Sequence, residues 1–220
     1  MKKRVMRRLT GVKIVSLTII LFGFTAAAQD LNELNTMNEQ ELVEKIDRFE
    51  KKLKQNPEDY ETLKALGIAY HIMATRDART YAPLAVKTLS KAHEKIETDY
   101  TILCYLGSAT TLMSVTTSNF MEKGSYTNRG IAMMDKAVRK APNNVTIRLT
   151  RAYNSKSLPD FLDRKSVAIE DFEHLAAMIE KDDSSLSSIK KEIYLNLAEL
   201  YEKNGNKEKA DNYSTLAGAL

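Results

Sequence analysis

The chain reads as all-α, and three observations carry that reading. Apolar residues recur every three to four positions, and no stretch between turn signals alternates in the manner of a strand. Helix breakers are scarce, with eight glycines and four prolines in 220 residues. The segment 194–217, YLNLAELYEKNGNKEKADNYSTLA, holds a whole helix–turn–helix unit. Tyr194, Leu197, Ala198 and Tyr201 share one face of its first helix. Gly205 supplies a turn in which a positive φ carries no penalty. Ala210 and Ala217 lie two turns apart on the second helix and leave room for a close neighbour. Such a pair cannot bury its apolar face alone, so further copies are expected.

The chain opens with a targeting segment, residues 1–28. Lys2, Lys3, Arg4, Arg7, Arg8 and Lys13 precede an apolar run over 14–28 that ends in Ala26, Ala27 and Ala28. This three-part layout is that of a secretory signal peptide. The run is shorter than the roughly 20 residues a bilayer span needs. Cleavage after Ala28 is expected, with retention as an N-terminal anchor the alternative. Position 29 is Gln and not Cys, so no lipoprotein anchor is indicated. Either outcome exports the remainder, to a periplasm or cell envelope.

Removing the leader inverts the charge. The whole chain carries +4, from 33 basic and 29 acidic residues. The leader holds six of the basic residues and none of the acidic ones, which leaves 27 against 29, a net charge of −2. A sustained basic surface, the requirement for nucleic-acid binding, is absent from the composition. The single cysteine, Cys104, lies in the apolar run TILCYLGSA and reads as a small buried hydrophobe.

Residues 29–56 predict one helix over 39–55. Asn38 and Glu41 have capping-box spacing, and Leu42, Ile46, Phe49 and Leu53 form a single stripe. Asn56 and Pro57 are expected to end it, with Pro57 at the first position of the next helix. Residues 57–97 form a first pair. Leu63, Leu66, Gly67 and Tyr70 repeat the spacing of the 194–201 face, and Ala85, Leu89 and Ala92 stand in the second helix. The connection between Ala74 and Pro83 reads as about six residues longer than a tight turn needs.

Residues 98–142 form a second pair. Leu103, Leu106 and Gly107 open it, and Gly130, Met134, Ala137 and Pro142 close it. The stretch between is about eleven residues too long for a tight turn, from an extended helix or an inserted loop. Residues 124–130 are expected to be a loop leading into the second helix. Residues 143–182 form a third pair, with Ala152 at the small position and Ala168, Phe172 and Leu175 in its second helix. Leu158, Phe161 and Leu162 are expected to cover the edge between its helices. Residues 183–220 form the fourth.

On these residues the chain resembles the tetratricopeptide repeat (TPR) family over about 57–220, with one complete repeat and three carrying insertions. The resemblance implies a right-handed superhelical stack of antiparallel helix pairs, a TPR-like α-solenoid, preceded by one N-terminal helix. It implies a binding scaffold whose concave groove is lined by the first helix of each pair. The groove positions it implies are Lys64, Ile68 and His71 in the first pair and Cys104, Ser108 and Thr111 in the second.

Arg148, Arg151 and Asn154 share one helix face, at positions where the repeat is otherwise apolar. Two readings stand. The arginines grip a carboxylate or phosphate, or they pair internally with Asp160, Asp163, Glu170 or Asp171, as partly buried guanidiniums must. Tyr126, Asn128 and Arg129 are candidates for partner contact from the inserted segment. His71, His93 and His174 have no second ligand at a zinc spacing, and no nucleophile elbow, phosphate loop or dinucleotide motif occurs. No cofactor, metal or catalytic residue is therefore expected. The function expected is an exported scaffold for a protein partner or peptide segment. The alternative is a ligand-binding accessory protein of an envelope transport system.

Overall fold

The computed structural model describes residues 34–181 and 189–220. The leader at 1–28 and the junction near 182–183 lie outside them. Among the described residues the regular elements are helical: α1 (Glu39–Gln55), α2 (Tyr60–Ala74), α3 (Ala78–Lys95), α4 (Tyr100–Leu112), α5 (Phe120–Lys140), α6 (Val145–Ser157), α7 (Lys165–Lys181), α8 (Lys190–Lys203) and α9 (Lys207–Gly218). Short 3₁₀ turns occupy Met113–Val115 and Asp160–Leu162. None of these helices is long and apolar enough to cross a membrane.

Helix starts are set by short polar side chains. Asn38, Asp59, Asp77, Asp99, Asn119, Asn144 and Asn206 each accept a hydrogen bond from a backbone N–H of the first turn. That satisfies a donor the helix itself leaves unpaired. The Asn38–Glu41 capping box forms in both directions, and α1 buries Leu42, Ile46 and Phe49. The same rule corrects the expectation for Pro57. Asp59 caps α2 by accepting from Thr62 N, so Pro57 lies in the preceding turn.

α2/α3, α4/α5, α6/α7 and α8/α9 are the four pairs, and α1 packs against α2 at the start of the stack. The first pair has no long connection. α2 ends at Ala74, Asp77 caps α3, and Pro83 lies inside α3. The extra residues lengthen a helix instead of a loop. The second pair repeats this outcome. Residues 124–130, expected as a loop, belong to the 21-residue α5. Gly130 is there for contact and not for a turn: a Cβ on it would lie 2.4 Å from Gly107 O and 2.8 Å from Thr111 N. Gly107 is its counterpart, with a Cβ placed 2.7 Å from Gly130 O. α4 and α5 therefore meet backbone to backbone. Gly205, at φ +76°, turns α8 into α9 as expected.

The core falls into three clusters. The first spans α1 to α4 and includes Leu42, Leu63, Leu66, Ile68, Leu89 and Tyr105. The second joins α4, α5 and α6 through Leu103, Cys104, Met134, Val138 and Ile147. The third runs from α6 to α9 through Ala152, Phe172, Leu175, Leu197, Ala210 and Ala217. Successive pairs thus bury one another's apolar faces, as a solenoid requires. Leu158 and Leu162 are half-buried at the α6–α7 edge, but Phe161 is 82% exposed and covers nothing. Its 3₁₀ turn points it outward.

Candidate functional site

Two polar constructions interrupt the apolar stack. The first is an ion network joining α5, α6 and α7. Asp171 on α7 is fully buried, between Ala168 and Phe172, both also buried. Arg151 grips it with both arms, Nε to Oδ2 at 2.7 Å and Nη2 to Oδ1 at 2.8 Å. Arg148 donates from Nη1 to Oδ1 at 2.7 Å and from Nε to the Pro142 carbonyl at 2.6 Å. Arg151 also reaches Asp135 on α5 at 3.0 Å, and Arg164 closes on Asp135 at 2.7 and 3.1 Å. Glu170 stands at 3.5 Å from both α6 arginines, with its side chain largely in solvent. Burial alone would raise the Asp135 carboxyl, but Arg164 and Arg151 hold it below the usual carboxylate range.

This arrangement takes the second of the two readings for Arg148 and Arg151. Asp171 and Glu170 are among the partners named from sequence. Asp160 instead pairs with Lys165, and Asp163 turns the chain in the left-handed region at φ 50°. Asp135 was missed. Its one signal is position, a carboxylate beside Met134 and Ala137 in the packing stripe of α5. An incoming anion would have to displace a fully buried carboxylate already held by three charge-assisted bonds.

The second construction is a hydrogen-bonded chain across three successive first helices. His71 Nε2 on α2 meets Ser108 Oγ on α4 at 2.8 Å. Asn154 Nδ2 on α6 donates to Ser108 Oγ at 3.1 Å and to Thr111 Oγ1 at 2.6 Å. Thr111 Oγ1 donates back to the Ser108 carbonyl at 2.7 Å. All four side chains are buried, and Tyr105 packs edge-on against His71 at 5.1 Å. A serine beside a histidine invites comparison with a nucleophile and its base. Here the His71 Nδ1 has no orienting partner and the pair is shut from solvent. Burial holds the imidazole neutral, with its pKa lowered to about 4. The chain serves as a polar seam between repeats.

That seam has a pH signature. The folded-state pKa of His71 lies below the usual histidine value near 6.5, so the unfolded state binds more protons between the two. The stability His71 contributes is complete above pH 6.5 and is lost as pH falls through 4. The expected loss is about 2 kcal/mol near pH 5. Urea unfolding of His71→Gln should show a correspondingly flatter pH dependence between about 6.5 and 4. A slope unchanged from the parent chain would contradict the assignment.

The remaining sequence candidates lie apart. Lys64 bonds Asp99 at 2.6 Å and ties α2 to the cap of α4. Tyr126 is half-buried on α5, and Asn128 and Arg129 are exposed there. Ile68 and Cys104 are fully buried, the Cys104 thiol donating to the Ile147 carbonyl at 3.4 Å. In the first two pairs, the positions the resemblance assigns to the groove are therefore engaged in contacts between neighbouring first helices. Among the described residues no cluster of histidine, cysteine and carboxylate side chains is placed to hold a metal ion.

The same register carried into the later pairs selects Leu149, Tyr153 and Lys156, then Leu195, Glu199 and Glu202. Four of these form a surface that was not picked out from sequence. Tyr153 hydroxyl donates to Glu192 at 2.5 Å, and Lys156 bridges Asn196 at 2.7 Å and Glu199 at 2.5 Å. Leu195 lies between these α8 residues with 51% of its surface open. It is an apolar side chain framed by polar groups, on the face of α8 next to α6. The repeat spacing was the signal that could have found it.

Comparison with known proteins follows the fold. No protein-family model matches the chain, and no curated protein matches it. Among solved structures, it is similar to a thermophilic TPR protein of Thermus thermophilus, with a TM-score of 0.57, 17% identity, 91% of this chain covered and 86% of that one. Human IFIT1, in a dimer with PPP-AAAA, aligns at a TM-score of 0.39 with 17% identity, covering 87% of this chain and 50% of that one. The second likeness is too low to carry argument. The helix pairs, their small contact residues and the first likeness together establish that this chain folds as a tetratricopeptide-like helical repeat protein.

Proposed function

We propose that the chain is an exported, periplasmic scaffold that binds a protein segment on the first-helix face of its C-terminal half, around Tyr153, Lys156, Leu195 and Glu199. The observation that carries this reading is the contrast between the two halves of the array. His71 in α2 and Ser108 and Thr111 in α4 are buried and joined through Asn154 in one hydrogen-bonded chain, whereas Leu195 in α8 is half-open among polar side chains. An apolar anchor ringed by hydrogen-bonding groups is what a helical or extended peptide docks on. Export rests on the leader at 1–28 read from sequence. We assign the chain no enzymatic role, since scaffolding is the ordinary use of this fold and the Ser108–His71 pair is sealed.

The alternative, a ligand-binding accessory of an envelope transport system, is motivated by the long connections and by Arg148 and Arg151. Both guanidiniums are already paired, Arg148 with Asp171 and Arg151 with Asp171 and Asp135. Affinity capture from the native envelope tests the scaffold reading. The chain should retain a defined protein band that a Tyr153→Ala/Leu195→Glu variant loses, with thermal unfolding of the variant shifted by only a few degrees. Equal capture by the variant would overturn the placement.

A further inference from the structure

A second surface lies between α1 and α3, away from α6 and α8. A groove of about 350 Å³ opens there. Its floor is the side of α2 carrying Leu63, Leu66 and Tyr70. One wall is a stripe of α3, Leu84, Lys87, Thr88 and Lys91, at the spacing of a single helix face. The other wall is the end of α1, with Leu53 and Lys54. Leu84 is 38% exposed and Leu53 half-buried, so apolar surface is open along both walls.

The charge on the rim is mainly positive. Several lysines elsewhere are matched: Lys64 with Asp99, Lys95 with Glu58, Lys156 with Glu199 and Lys209 with Glu173. Lys54, Lys87 and Lys91 have no ion pair and no side-chain hydrogen bond among the described residues, although all three are exposed beside the groove. Glu58 feels the charge of Lys91 but is bonded to Lys95. The acid that lines the groove, Glu50, accepts from the Tyr70 hydroxyl and keeps its charge, so the rim carries three ammonium groups against one carboxylate. Apolar floor, apolar walls and three unmatched ammonium groups define one kind of occupant.

We propose that this groove docks an acidic amphipathic helix of a partner protein. Its apolar residues, at three- and four-residue spacing, would lie between Leu53 and Leu84. Its carboxylates would meet Lys54 on one wall and Lys87 and Lys91 on the other. Buried apolar anchors supply affinity in such a mode, and the flanking charges set orientation and exclude basic segments. This site is independent of the α6–α8 surface, so either can fail alone.

The test uses two labelled helical peptides of about 15 residues, a length that lets one apolar face lie in a groove. Both carry leucines at the stated spacing, flanked by glutamates in one and by lysines in the other. Fluorescence anisotropy with the purified chain should show binding of the glutamate peptide and not of the lysine peptide. Lys87→Glu/Lys91→Glu should weaken the glutamate peptide by about tenfold or more and admit the lysine peptide. Both positions are exposed on α3, so unfolding of that variant should match the parent.

Absence of binding, equal binding of both peptides, or indifference to the charge reversal would overturn the proposal. So would lysine-dependent binding of sodium dodecanoate without peptide binding, which would make the occupant a small amphiphile. Self-association abolished by the charge reversal would also overturn it, by making the occupant a second copy.

Discussion

Asp171→Ala should destabilise the chain by about 3–5 kcal/mol and lower its melting temperature by roughly 10 °C. The substitution removes the buried carboxylate that Arg148 and Arg151 both hold at 2.7–2.8 Å. Both side chains are nearly buried, 7% and 8% exposed. Glu170, at 3.5 Å and mostly in solvent, is a poor substitute. The penalty is that of stranding Arg148 and leaving Arg151 with Asp135 alone, and it does not measure the worth of the pair. The distinction is testable. Replacing the triad together, by Arg148→Met, Arg151→Leu and Asp171→Leu, removes every stranded charge and should recover most of the lost stability. Denaturant unfolding of the single and triple variants measures both. A triple variant less stable than Asp171→Ala would show that the ions contribute net stability.

Gly130→Ala should cost about 3 kcal/mol, at the upper end of what a single added methyl does in a packed interior. The reason is what the methyl meets. At Gly130 it would stand 2.4 Å from a backbone carbonyl oxygen, 2.5 Å from Thr111 Cγ2 and 2.8 Å from a backbone nitrogen. Helix backbone cannot rotate aside, so α4 and α5 must separate and Met134 and Ala137 must loosen with them. Gly67→Ala provides the internal contrast. Its methyl would lie 2.7 Å from both Cγ and Cδ2 of the Leu89 side chain, which can shift through χ1, and 3.3 Å from the nearest backbone atom. Gly67→Ala should therefore cost clearly less. Thermal unfolding of the two variants decides it, and the reverse order would contradict the backbone-contact account.

Much of the fold was legible because its signals are local. Asn38 and Glu41 fixed the start of α1, and the boundaries of that helix follow. Ala85, Ala92, Ala137, Ala168, Ala210 and Ala217 mark the close approach of second helices to their neighbours, and every one is buried. The segment 194–217 reads correctly because turn glycine, aromatic face and small residues agree.

The misreadings share a cause. Residues 124–130 were read as a loop leading into a helix and Pro83 as the end of a connection, yet both lie inside helices. A glycine needed for contact and a glycine needed for a turn look alike until the opposing backbone is in place. The binding positions were harder still. His71, Ser108, Thr111 and Asn154 were picked separately, and the fold joins them, but into a seam and not a surface. Burial of a first-helix position depends on the neighbouring repeat, which one repeat's spacing does not encode. Asp135 escaped for the same reason, since its partners lie 16 and 29 positions away in the chain.

On the proposed function the two halves of the array differ, the first closed on itself and the second open to a partner. Site-specific photocrosslinking in intact cells decides it, with the reactive side chain placed at Leu195 in one version and at Thr111 in another. A defined adduct from position 195 and none from position 111 is the expected result. An adduct from position 111 with none from position 195 would contradict the claim, and would place the binding face on α4.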